Sequence, residues 1–234
     1  MPELPDIVAY LDALGSRVLG RPLVELRVMS PFVLRSVDPP VDLRHGQIVV
    51  ALRRLGKRMV MVFPHELFLV FHLMVAGRLR WRDPGKKPGM GPRQLLASLE
   101  FENGTLFLTE AGSRKRASMH VVAGEEALQT FDRGGIEPLA ATLDAFRTAL
   151  GRESHTVKRA LTDPRLFSGI GNAYSDEILH AAQLSPMKLT RSLSNEESSR
   201  LYDATRMTLT AWVERLRQEL GEHFQTRSPR FERG

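Results

Sequence analysis

Cysteine is missing from all 234 residues. That excludes disulfides, thiolate nucleophiles and every zinc site built on Cys ligands. Long apolar runs are missing too, and none approaches the roughly 18 residues that a membrane span requires. Between Met1 and Leu19 no basic segment precedes an apolar one, so the start does not read as a secretory signal. A soluble intracellular protein of the cytoplasm or nucleoid is therefore expected, with no membrane partner and a monomer as the default. Gly and Pro are not in excess, and 42% hydrophobic residues suffice for a packed core. Negative charge is outweighed, 27 Asp and Glu against 33 Lys and Arg, leaving a net charge of +6. Such a balance favours a polyanionic partner, because each phosphate neutralised releases condensed counterions.

The periodicity of the chain changes twice. Near the start, Ile7, Leu11, Leu14 and Val18 recur at helical spacing, with Pro2 and Pro5 where a helix start tolerates them and Gly20 and Pro22 as a stop. Short apolar runs follow, predicting strands over 23–29, 47–53, 58–63, 67–72, 95–101, 105–109 and 118–122. Glu102-Asn103-Gly104 signals a tight hairpin, and residues 83–93 an exposed loop. Seven strands in about 100 residues suggest a sandwich or barrel. Beyond residue 124 helices are predicted over 144–150, 155–161, 173–183 and 196–220, the last opened by a capping box, Ser194 with Glu197. The fold class expected is α+β. A helix and β-sandwich occupy 1–124, a hinge around Gly134-Gly135 spans 125–139, a helical domain covers 140–222, and a short basic tail follows over 223–234.

Three separated stretches carry chemistry. Pro2-Glu3-Leu4-Pro5 would present a secondary amine at Pro2 if Met1 is removed. An α-amino group titrates near pH 8, so a useful fraction is neutral, and a secondary amine can attack a sugar C1′ to give an iminium. Glu3 is the nearest carboxyl for proton transfer. A Pro-rich helix start is the plain alternative. In the second stretch, Gly169 and Gly171 flank Ile170 just before Asn172 and a helix. Free N–H groups at such a turn suit an anion, with Asn172 as N-cap or phosphate donor, though a simple Gly turn fits as well. Third, Arg53-Arg54-Leu55-Gly56-Lys57-Arg58 places four cations on a turn between strands. They are expected to stay exposed, as a solvated hairpin or a backbone-binding edge.

Together these residues resemble the formamidopyrimidine-DNA glycosylase and endonuclease VIII family over nearly the whole chain, from Pro2 to about Leu220. The likeness rests on Pro2-Glu3-Leu4-Pro5, on His72-Leu73 through Gly77, on Gly135 to Leu139, on Val157-Lys158 and on the 169–179 helix-two-turn-helix signature. It implies a nucleophilic Pro2 that expels a damaged base from duplex DNA, Glu3 as proton shuttle, and β- and δ-elimination of the sugar. It further implies that Lys57 and Asn172 hold phosphates beside the lesion, with Gly169, Gly171, Lys158 and His72 at the DNA surface and Met74, Arg114 and Arg116 candidates to fill the void of a flipped base. The chemistry needs no metal.

The chain departs from the family's pattern in four places. Asp6 stands where Glu is usual. Met74 comes one place early, so that Val75 is the aligned residue, and on a strand this would turn the side chain to the other face. The loop around Arg114 and Arg116 lacks an aromatic wedge. Finally, no Cys is present for the terminal zinc finger, and residues 223–234, with Arg227, Arg230 and Arg233, are too short for it. The resemblance thus leads to a bifunctional glycosylase and abasic-site lyase without zinc, the alternative being a relative that binds damaged DNA without processing it. A partner of structured RNA would leave the Pro2 motif and the sheet domain unexplained.

Overall fold

The computed structural model describes residues 1–36 and 46–223. The tail beyond residue 223, with its three Arg, lies outside the described residues.

Helix α1 (Leu4–Val18) starts with Pro5 in its first turn and is fixed there by the Asp6 carboxylate, which accepts a 2.7 Å hydrogen bond from the backbone N–H of Glu3. Its apolar stripe, Ile7, Tyr10, Leu14 and Val18, is buried in the larger core. Among the described residues nine strands follow: β1 (Pro22–Val28), β2 (Gln47–Ile48), β3 (Ala51–Leu55), β4 (Arg58–Phe63), β5 (Leu67–His72), β6 (Gly77–Arg82), β7 (Leu95–Phe101), β8 (Gly104–Glu110) and β9 (Ser118–Ala123). They form two antiparallel sheets, ordered β2-β1-β7-β8-β6 and β3-β4-β5-β9. The run predicted as one strand over 47–53 divides at Val49-Val50, its first part in one sheet and its second in the other. A chain that turns a sandwich corner does this, and an apolar run does not reveal it.

The inner faces of the sheets, including Met59, Met61, Phe63, Leu69 and Phe71 on one and Leu79, Trp81, Leu99 and Leu108 on the other, make the larger core. The outer face of the four-stranded sheet is also apolar, with Val60, Val62, Phe68, Val70 and Val122 buried. Helix α2 (Glu125–Gln129) covers it through Leu128, so residues assigned to a linker include a short packed helix. Burial on both faces explains why β4 and β5 are continuous apolar runs.

The second core gathers helices α3 (Leu143–Gly151), α4 (Val157–Thr162), α5 (Asn172–Ala181) and α6 (Asn195–His223) around Phe146, Phe167, Ile178 and Leu201. Ser194 and Glu197 form the expected reciprocal cap on α6 at 2.8 and 3.1 Å. Two features bind the cores together. Leu4 of α1 belongs to the helical core, its N–H donating to the Gly169 carbonyl at 2.9 Å. Conversely, Leu216 and Leu220 of α6 are buried in the sandwich core, so the apolar surface of that helix is covered there.

Candidate active site

The N-terminal segment and the turn before α5 lie 168 residues apart in sequence and meet in space. Pro2 and Glu3 are both buried. The Glu3 carboxylate sits on the N-terminus of α5 and accepts backbone N–H bonds from Gly171 at 2.6 Å, Ala173 at 3.1 Å and Tyr174 at 3.4 Å. Unsatisfied N–H groups and the positive end of the helix dipole make this a natural carboxylate seat. The anion site expected for a phosphate at this turn is therefore filled by the chain's own Glu3. Nor is Asn172 the N-cap, because Gly171 takes that position and Asn172 is the first helical residue, its side chain exposed.

The third participant is Lys57. A Cβ placed on Gly171 would lie 2.4 Å from both Lys57 Nζ and Glu3 Oε1, so ammonium and carboxylate face each other across a Gly. Gly169 adds a second constraint, since its φ of +84° favours Gly and a Cβ there would meet Leu4 and Arg54 at 2.9 Å. Lys57 reaches this place from the two-residue turn Gly56-Lys57, which closes the β3–β4 hairpin with Gly56 at φ +60°. Burial lowers the Lys57 pKa from its ordinary value, against the opposing pull of the Glu3 and Asp6 charges.

The basic turn is less exposed than four adjacent cations suggest. Arg53 pairs with Glu125 at 2.9 Å. Arg54, its side chain 13% exposed, pairs with Glu137, donates to the Gly56 carbonyl at 2.7 Å and reaches Ser168 Oγ at 3.3 Å. Burial pushes its pKa down to about 10. Arg54 therefore fastens the hairpin to the second domain, a role that the sequence does not signal because Glu137 and Ser168 are distant. The expectation of full exposure failed because the Glu125 and Glu137 carboxylates and the Ser168 hydroxyl arrive from other elements.

Asp6 is buried beside Glu3, and the Tyr174 hydroxyl lies 3.5 Å from its Oδ1. Burial raises the Asp6 carboxyl to about pH 7, reinforced by the Glu3 charge and opposed by the Glu3 N–H bond. With a folded pKa above the unfolded one, the native state binds the extra proton between about pH 4 and 7. Stability contributed by Asp6 is present at low pH and lost as pH rises through 7. Asp6→Asn is expected to flatten the fall of melting temperature between about pH 4 and 7, and melts at stepped pH will show it. An unchanged slope would remove Asp6 as its source.

Two loops lie side by side near this end of the sandwich. Met74, Val75 and Ala76 form a turn, closed by a 2.9 Å bond from the Gly77 N–H to the Leu73 carbonyl. Face alternation therefore does not govern Met74, which adopts φ +53° and is half-buried, while Val75 is 56% exposed. The adjoining loop carries Arg114 and Arg116, both exposed. Its base is held by buried Glu110, which accepts from the N–H groups of Arg116 at 2.8 Å and Ala117 at 3.2 Å. A Cβ on Gly112 would lie 4.0 Å from Ala76 Cβ, so the loops touch. Lys158, at the start of α4, pairs with Asp176 at 2.6 Å. His72 ends β5, half-buried, and burial together with Arg58, Lys57 and His120 holds it down to about pH 4.

Pro2, Glu3, Lys57, Gly169 and Gly171 thus converge, with Asp6 and Tyr174 behind them. Met74, Arg114 and Arg116 lie on the two loops, and Asn172, Lys158 and His72 at other places on the surface. Tyr174 and Glu110 carry no separate signal in the sequence, although Tyr174 stands two places after Asn172 within the 169–179 signature. A four-Cys zinc site has no ligands in this sequence, and among the described residues no three His, Asp or Glu are grouped to hold a metal ion. No helix among them is long and apolar enough to cross a membrane.

A sandwich whose first residues seat on a helix-two-turn-helix turn defines a two-domain scaffold with a buried N-terminal Pro-Glu centre. Comparison with known proteins specifies it. Residues 1–119 match the formamidopyrimidine-DNA glycosylase N-terminal domain, and residues 135–222 the formamidopyrimidine-DNA glycosylase H2TH domain. The formamidopyrimidine-DNA glycosylase of Moorella thermoacetica is 32% identical over 89% of this chain and 77% of its own length. That of Listeria innocua is 31% identical over 91% and 78%. Among solved structures, the Lactococcus lactis enzyme in complex with abasic-site DNA superposes with a TM-score of 0.81 at 22% identity, over 91% of this chain and 78% of that one. The chain belongs to the formamidopyrimidine-DNA glycosylase family of DNA-repair glycosylases.

Proposed function

We propose that this glycosylase excises oxidised bases from duplex DNA and then cleaves the strand as an abasic-site lyase, with the Pro2 nitrogen as nucleophile once Met1 is removed. The convergence of Glu3 and Lys57 on Gly171, beside Pro2, is the observation that carries the reading. Attack of the Pro2 nitrogen on C1′ breaks the glycosidic bond, and the base leaves with the electron pair and takes up a proton. The nitrogen lone pair then breaks the C1′–O4′ bond, O4′ taking up the proton lost from nitrogen, to leave a ring-opened iminium. Loss of the ring-opened sugar's C2′ proton to a base then expels the 3′ phosphate, and a second elimination expels the 5′ phosphate. Glu3 is the carboxylate placed for these proton transfers.

Lys57 supplies a cation next to that carboxylate, where it serves a phosphate flanking the lesion. Asn172, exposed on the first turn of α5, can donate to a second phosphate. Lys158 must leave Asp176 to reach DNA. His72 lies at the same sheet end as Lys57. Met74 or Val75, with Arg114 and Arg116 on the adjoining loop, are placed to enter the space that a flipped base vacates.

Borohydride reduction on duplex DNA with an abasic site tests this. The Met1-processed protein is expected to form a covalent adduct, and the same protein with its N-terminal amine acetylated to form none at equal DNA occupancy. Binding without any adduct in the processed protein would mean recognition without catalysis.

A further inference from the structure

The outer face of the four-stranded sheet changes character along its strands. At one end it is apolar and covered by α2. At the other, Arg58 begins β4, His72 ends β5 and His120 lies in β9 opposite Val70. Alternation places all three on the same face as buried Val60 and Val70. Arg58 follows in register opposite His72, and His120 is the diagonal neighbour of His72 on the far side. Phe131, two residues after α2, packs against this face. Its ring meets that of His120 edge-on at 5.0 Å, the Arg58 guanidinium lies 5.5 Å from its centroid, and Arg58 also donates to its carbonyl at 3.4 Å.

What surrounds this trio is cationic. Arg133 acts on Arg58, Lys57 on His72, and Arg35 on His120, each pushing the affected group below its ordinary pKa in addition to the effect of burial. Among the described residues no carboxylate forms an ion pair with Arg35, Arg58, His72, His120 or Arg133. Elsewhere the fold neutralises its cations, as with Arg53, Arg54, Lys158 and Arg217. With both imidazoles held neutral, Arg58 carries the charge of the trio, and a half-buried guanidinium without a carboxylate partner favours an anion that arrives from outside. The buried Nδ1 of His120 has no partner, which leaves Nε2 as the nitrogen that can serve a ligand.

We propose that Arg58, His120 and Arg133 form a further phosphate site, which takes a backbone phosphodiester of the same duplex beyond the phosphate served by Lys57. The inference rests on the DNA-binding reading above. It extends the grip on the backbone across the outer face of the sheet, where Arg58 and His120 share one surface and exposed Arg133, in the segment after α2, adds its charge to that of Arg58. The phosphodiester contributes no sequence information there, only register and affinity.

The test measures dissociation constants for a duplex carrying a tetrahydrofuran abasic analogue at stepped KCl, using the full chain. Arg58→Gln and Arg133→Gln together are expected to lower the log–log salt slope by about 0.9, the share of one phosphate, and each alone by part of that. Arg58→Lys should retain it, and so should Arg215→Gln, which removes a cation paired with Glu219 on α6. Methylphosphonate scanning should find one linkage, beyond the lesion-flanking pair, whose neutralisation weakens wild type but not Arg58→Gln. Unchanged slopes in both Gln variants, with native melting, would overturn the site while leaving the DNA reading intact. If Arg58→Gln does not fold, exposed Arg133 decides. Absence of lesion-duplex binding by wild type would instead sink the underlying reading.

Discussion

Gly171→Ala is expected to cut base excision by about 100-fold or more, the penalty that a displacement of roughly 1 Å imposes on aligned catalytic groups. The argument is one of space. Gly171 has φ −133° and ψ −162°, an extended conformation open to any residue, so no backbone strain accompanies the substitution. The new methyl would meet Glu3 Oε1 and Lys57 Nζ at 2.4 Å and Glu3 Cδ at 2.5 Å. Neither group can remain, and the Glu3 carboxylate must leave its seat on α5. Single-turnover excision of an oxidised base, set beside a thermal melt, separates this from unfolding. A rate within a few-fold of wild type would show that the Glu3 and Lys57 positions tolerate rearrangement.

Glu3→Gln should lose both activity and stability. The carboxylate accepts three N–H bonds, and an amide presents a donor to at least one of them. Leaving a buried donor unmatched and removing a charge from a helix N-terminus together cost about 1–3 kcal/mol. Loss of a positioned proton-transfer group lowers the rate by about 100- to 10,000-fold. The rate should therefore fall much further than the occupancy of abasic-site DNA, and chemical denaturation will give the stability loss. Equal falls in rate and binding would make Glu3 a structural cap alone.

Most elements were legible because burial on one face writes its period into the sequence, as in α1 and α6. Strand β6, Gly-Arg-Leu-Arg-Trp-Arg, was passed over even though its burial alternates perfectly with the pleat. Three Arg in six residues resemble a loop until their apolar partners, Leu79 and Trp81, are seen to share a face. The site divides similarly. Motifs identified Pro2, Glu3, Lys57 and Gly171 one by one. That Glu3 fills the helix terminus, leaving no free anion site at that turn, depends on tertiary contact and has no signature in either segment. The same holds for Arg54, whose partners Glu137 and Ser168 stand 83 and 114 residues away.

Helix α6 closes against α1, Arg217 bonding Asp12 at 2.7 Å across 205 residues, and Leu216 and Leu220 complete the sandwich core. The earliest helix therefore waits for the latest one. At synthesis rates of about 5–20 residues per second, the nascent sandwich spends roughly five to twenty seconds with part of its apolar interior uncovered. Closure over so long a loop predicts slow folding, and unfolding in which neither domain outlasts the other. In a growing cell, this core is a surface for chaperones before it is the interior of an enzyme.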